Sequence, residues 1–166
     1  MEKIQDSENE KQKAKAVGHI PSGLFIICSL NEDGIKDGFL GSWVQQVSFR
    51  PLLVGFAIKP DRPGHKHIIS GKTFTINIVG DHDAQILKHF WSGYAPGKGP
   101  FQQIPHKISP EGGILLDSAK SILVCKMVQK IIPGDHEWII AEIINSLTNN
   151  EESSPKVHIR KSGLEY

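Results

Sequence analysis

Two cysteines in 166 residues, Cys28 and Cys125, sit inside apolar strand-like runs without metal-ligand spacing. They read as small buried hydrophobes, which excludes a disulfide framework and a thiolate metal site. No apolar run approaches the ~20 residues that cross a bilayer, and the first residues are charged where a signal peptide needs an apolar centre. A cytoplasmic protein without membrane contact is the expectation. Charge of one sign is missing too: 19 basic against 18 acidic residues leave a formal +1, no electrostatic case for nucleic acid or an anionic membrane. There is no Ser-His-Asp order, no Cys-His nucleophile motif, no paired-carboxylate signature and no Gly-x-Gly-x-x-Gly. His65, His67, His82 and His89 repeat no recognised ligand set, so no metal is predicted.

What is present is mostly β. Residues 1–15 are rich in Glu, Lys, Gln, Asn and Ser and offer little to bury, which predicts a frayed helix or a mobile arm. From Val17 onward, Leu24–Leu30, Gly38–Val44, Leu52–Ile58, Thr73–Val79, Ile114–Ile132 and Glu137–Leu147 read as strands, rich in Ile, Val, Leu and Phe and bounded by Gly, Pro, Asn and Asp. Asn31-Glu32-Asp33-Gly34 and Pro133-Gly134-Asp135 read as tight turns. Short helices are expected at His65–Ser70 and at Asp83–Phe90, with Asp83 as the cap of the second. A long Gly/Pro loop, Trp91 to Pro105, carries Trp91, Tyr94 and Phe101, aromatics that either plug a barrel end or face a cofactor or partner. Antiparallel meanders with short turns favour a barrel, which removes sheet edges by closing on itself.

The most informative stretch is Gly41 to Arg62. A hydroxyl-rich elbow, Ser42-Trp43-Val44-Gln45-Gln46-Val47-Ser48-Phe49, leads into the apolar run Leu52–Ile58, which delivers Lys59 and Arg62 at its far end. Hydroxyls donate hydrogen bonds and a guanidinium grips phosphate in two places, so this order suits a phosphate-bearing cofactor. Local chemistry alone favours an ordinary hairpin with an exposed basic loop.

Ser-Trp-Val-Gln-Gln-x-Ser-Phe-x-Pro, followed by an apolar strand and a basic turn, resembles the flavin reductase-like family of FMN-binding split barrels. Pro21-Ser22-Gly23-Leu24-Phe25-Ile26-Ile27 is similar to its first strand. Phe74-Thr75-Ile76-Asn77 resembles its Phe-x-Ile-Asn strand, Gly134-Asp135-His136 its Gly-Asp-His turn, and Pro155 through Tyr166 its closing segment. The likeness is nearest in flavour to the reductase domains fused to flavodiiron proteins, and extends to flavoredoxin. It implies a mainly β, Greek-key-like antiparallel split β-barrel with a few short helices: a flexible charged arm at 1–15 and an FMN-binding domain at 16–166.

The function implied is NAD(P)H-dependent flavin oxidoreduction, with hydride passing from NADH or NADPH to FMN and on to an acceptor. The alternative is a flavoredoxin-like FMN module that receives electrons from a redox protein partner. Carried over by position, Ser42, Trp43, Val44, Gln45 and Gln46 lie along the isoalloxazine edge. Ser48 lies on the phosphate side with Phe49 beside it, and Ile58, Lys59, Arg62 and His65 hold the ribityl phosphate. His136 is the candidate nicotinamide contact, against a plain solvated turn histidine; Trp43 has a core aromatic as its alternative. A homodimer is implied, with the Trp91–Pro105 loop as candidate for closing part of the partner's pocket. The elbow lacks the Asn-Ser pair frequent in free-flavin reductases, and Arg50-Pro51 stands where a Pro-Pro pair is frequent.

Overall fold

Ile26 and Ile27 point to opposite faces of one strand, as successive strand residues must. Both are buried, so their sheet is covered on both sides. In the computed structural model residues 2–95 and 97–164 are described, with backbone alone at 2–6 and 84. Met1, Pro96, Glu165 and Tyr166 lie outside them, and with them the arm's first residue, one loop position and the last two of the closing segment.

The elements run α1 (Glu2–Gly18), β1 (Ser22–Gly23), β2 (Phe25–Leu30), β3 (Lys36–Gly41), β4 (Val44–Ser48), β5 (Leu53–Ile58), α2 (His65–Ile69) and β6 (Thr73–Ile78). A 3-10 stretch (Asp81–Ile86) leads into α3 (Leu87–Phe90), then β7 (His106–Ile108), β8 (Ile114–Leu116), β9 (Ser121–Ile131), β10 (Glu137–Thr148) and β11 (Val157–His158). A seven-stranded antiparallel sheet has the order β3-β2-β6-β9-β10-β5-β4, and β1-β11 and β7-β8 form two small pairs. One face rolls around Ile27, Phe56, Ile58, Phe74, Ile76 and Ile139. The other, carrying Ile26, Cys28 and Ile122, is covered by Ile86, Phe90, Phe101, Ile104, Ile114 and Leu116. Residues 81–119 are therefore the lid of the second core.

Polar side chains pin that lid. Asn77, fully buried on β6, donates to Ile26 O at 3.1 Å and to Thr75 Oγ1 at 3.0 Å, and accepts from Leu116 N at 3.0 Å. The Asn31–Gly34 turn forms as expected: Gly34, at φ 76°, donates its N–H to Asn31 O at 3.1 Å.

The expected strand Ile114–Ile132 divides into β8 and β9, because Ala119 N turns back to Leu116 O at 3.1 Å and β8 pairs with β7. Gly38–Val44 likewise divides at Ser42-Trp43, where the chain leaves β3 to begin β4. Asp83 does not cap a helix: its φ of −132° breaks the 3-10 stretch, and α3 has no side-chain cap. In the Trp91–Pro105 loop, Tyr94 Oη exchanges two 2.6 Å hydrogen bonds with the Gly38 backbone, and Phe101 and Ile104 are buried. The loop is thus anchored on its own barrel, with Trp91 left 56% exposed.

Candidate functional site

β4 and β5 form the hairpin that fixes the site. Val44 pairs with Phe56 and Ser48 with Leu53, while Ala57 N donates to Trp43 O at 3.1 Å. The basic turn after Ile58 therefore lies beside Ser42 and Trp43. Ser48 lies at the other end of β4, about 13 Å of strand away at ~3.3 Å per residue. One phosphate cannot meet both Ser48 and the basic turn, which corrects the joint role expected of them. Phe49, 85% exposed, lies beyond Ser48, and Gln46 turns its amide back to Ser48 O at 3.2 Å. Ile58 is buried in the barrel core, so only its backbone is available to a ligand.

Ser42 joins two recesses. One is an open groove of about 360 Å³ between Ile20–Gly23, Ser42–Gln45, Trp138 and Val157. Trp138, paired with Ala57 on β5, lays its indole across Gly55, where an added Cβ would sit 2.7 Å from Nε1. The other recess, of about 60 Å³, is lined by Leu24, Leu40, Ser42, Arg62, Phe90, Trp91 and His158. Ser42 and Ser22 both line the groove, and their Oγ atoms are buried without a hydrogen-bond partner among the described residues. A buried polar atom left so is destabilising unless a ligand meets it. The Arg62 guanidinium forms no ion pair or hydrogen bond among the described residues, and Arg62 lines the same small recess as Ser42. Lys59 is only loosely held, 3.9 Å from Asp135 on the surface.

Trp43 is half-buried between elbow and closing segment, its ring 4.9 Å from that of His136 and 5.1 Å from the Arg160 guanidinium. His136 Nδ1 donates to Asp135 Oδ1 at 2.8 Å, since a carboxylate only accepts. That bond holds the Asp135 carboxyl below the usual carboxylate range. His65 departs from its expected place. Its ring is buried and donates from Nε2 to Glu137 Oε2 at 2.8 Å, so it faces the barrel and not a phosphate at the surface. Lys130 Nζ donates to the other oxygen, Oε1, at 2.9 Å, and with His65 holds the Glu137 carboxyl below its usual range.

A cleft of about 760 Å³ on which Arg62 also borders is lined by Glu32, Asp33, Asp37 and Asp61 together with Lys66 and Lys72, and Glu32 is already paired with Lys72 at 2.7 Å. Sequence reasoning weighed Trp91 as a loop aromatic that either plugs the barrel end or faces a cofactor or partner, and it assigned no role to Ser22, Trp138 or His158. Ser22 and His158 lay in segments matched to the family, but their place at the groove and recess comes from β1, β10 and β11, which no local spacing announces.

An FMN molecule has a flat apolar ring system with a polar edge and a phosphate at the end of a short chain, and the residues present fit it. Aromatic and hydroxyl groups wall the groove, and an unpaired guanidinium stands beside the unpaired Ser42 hydroxyl. Comparisons with known proteins agree. The family described as "Flavin reductase like domain" matches residues 17–163. Diflavin flavoprotein A 1 of a Synechocystis species is 32% identical over 92% of this chain, which spans 26% of that protein's length. The chain thus covers about a quarter of the curated relatives it matches. Among solved structures, NADH:FAD oxidoreductase SgcE6 of Streptomyces globisporus superposes with a TM-score of 0.79 at 20% identity, covering 87% of this chain and 85% of that one. Flavin reductase HpaC complexed with NADP+ gives 0.73 at 22% identity, covering 97% and 95%. With its sheet, lid and elbow all falling inside the matched span, the chain belongs to the flavin reductase-like family.

Proposed function

We propose that this chain binds FMN between the Ser42–Gln45 elbow and the basic turn and reduces it with NADH or NADPH. The observation that carries the reading is the convergence of the orphaned Ser42 hydroxyl and the unpaired Arg62 guanidinium on one small recess, next to a groove walled by Trp43 and Trp138. In this reading Arg62, Lys59 and Ser42 hold the phosphate, with His158 and Trp91 closing that recess. Val44, Gln45 and Ser22 lie along the ring, where Gln45 offers its amide to the polar edge. Bound flavin supplies the two-electron chemistry by accepting hydride, so the chain needs no general base; its task is to orient two planar rings and keep water away. His136, tilted at 48° against Trp43 and fixed by Asp135, is the side chain we assign to the nicotinamide side.

A second reading, an FMN module that hands electrons to or from a protein, is favoured by one fact: in diflavin flavoprotein A 1 the matched region is 26% of a longer protein. Both readings go with a homodimer, for which the exposed Val47, Phe49 and Leu52 of the β4–β5 hairpin are an apolar surface left uncovered. Sedimentation should then give twice the chain mass; a monomer with FMN bound removes the dimer. Anaerobic mixing of flavin-loaded protein with NADH and with NADPH tests the function. Bleaching of the flavin absorbance within the mixing time supports the reductase. A chain that holds FMN, is reduced by dithionite, and ignores both nucleotides is the electron-transfer module.

A further inference from the structure

Glu137 is a buried carboxylate that neither flavin binding nor a barrel strand demands. A β10 strand needing only to fill the core would carry an apolar side chain there, since a charge taken from water is unfavourable unless fully partnered. Here both oxygens are used, on His65 at 2.8 Å and Lys130 at 2.9 Å. What these bonds join is informative. Glu137 directly follows His136, and its backbone pairs with Ile58, the residue before Lys59. His65 ends two successive backbone turns: Arg62 N donates to Lys59 O at 3.1 Å, and His65 N to Arg62 O at 3.2 Å. The basic turn is therefore held at its start by the β5–β10 ladder and at its end by the His65 ring. A further link between the same turns, Lys59 to Asp135 at 3.9 Å, has side chains 42% and 80% exposed, and such pairs hold geometry weakly.

We propose that Glu137 is a positioning residue which, through His65, fixes the Lys59–His65 phosphate turn relative to His136 and Trp43. The inference rests on the flavin reading above and adds the part that sets the spacing between its two ends. A side chain that only supported the fold would weaken every ligand alike. A strut on the phosphate turn acts on phosphate alone.

The test compares FMN with riboflavin, which lacks the phosphate, in Glu137→Gln and His65→Gln. Each variant should weaken FMN by about tenfold while riboflavin changes less than about twofold. In an Arg62→Ala background Glu137→Gln should have little further effect on FMN, because the group it positions is gone. Amide hydrogen exchange at Asp61, Arg62, Gly64 and His65, measured without flavin, should quicken in Glu137→Gln. Equal weakening of both flavins, or full additivity with Arg62→Ala, overturns the strut. A parent protein that binds neither flavin sinks the flavin reading instead; the exchange measurement then decides the strut alone, and unchanged exchange overturns it.

Discussion

Ser42 carries the sharpest single-residue consequence. Among the described residues its buried hydroxyl has no partner, and a buried unsatisfied group is destabilising by roughly 1–3 kcal/mol. Ser42→Ala should therefore leave the flavin-free protein as stable as the parent or more so, while shrinking the rise in unfolding temperature that FMN confers. Thermal unfolding with and without FMN measures both, and a variant that loses stability equally in the two conditions refutes the role. Replacing Lys59 and Arg62 together by Ala should weaken FMN far more than riboflavin; equal loss would put the phosphate elsewhere. Arg62 was legible in the sequence because a cation following an apolar strand is conspicuous. His158 was not, because its place opposite Arg62 depends on β11 pairing with β1, two residues each and far apart in the chain.

At the scale of elements, β6 shows how one strand serves two cores. Phe74 and Ile76 fill the barrel, while Thr75 and Asn77 on the other face bind the lid, Thr75 Oγ1 donating to Ile114 O at 2.6 Å. Asn77→Ala would strand the buried Leu116 N–H, a loss of about 1–3 kcal/mol. Denaturant unfolding should register it with an unchanged slope, and a loss under about 0.5 kcal/mol would show that the lid does not depend on Asn77. Strands buried on both faces read clearly from composition, as β2, β5 and β6 did. The breaks at Ser42-Trp43 and at Asp117–Lys120 did not: Asp117-Ser118-Ala119-Lys120 is polar, but apolar residues resume beyond it, and pairing to a different neighbour is what ends the strand.

For the whole molecule, acid is the informative stress. The Lys130 and His65 hydrogen bonds lower the Glu137 carboxyl from its ordinary 4.5. A carboxyl so depressed by folding stabilises the native state above its ordinary value and loses that contribution as pH falls through the folded one. Stability should therefore decline below about pH 5, and Glu137→Gln should flatten that decline while lowering stability at neutral pH. Unfolding midpoints measured from pH 3 to 7 check this; identical acid limbs in the two proteins would show that other carboxylates control it. Cys28 and Cys125 stay outside this balance. Burial pushes the Cys125 thiol up to about 12 and Cys28 higher still, so both remain neutral thiols throughout that range.

By itself the sequence determined the β class, most strand positions, the basic turn and the elbow, because each rests on residues within a dozen positions of one another. Alternation, turn chemistry and charge order act over such distances. Only the tertiary structure decided which of those residues lie together. It set Ser48 and Arg62 at opposite ends of one hairpin, turned His65 inward onto Glu137, and brought Trp91, Trp138 and His158 to the site from the lid, β10 and β11. Those outcomes follow from antiparallel register and from a sheet buried on both faces, and both are settled by contacts between segments that are remote in the chain.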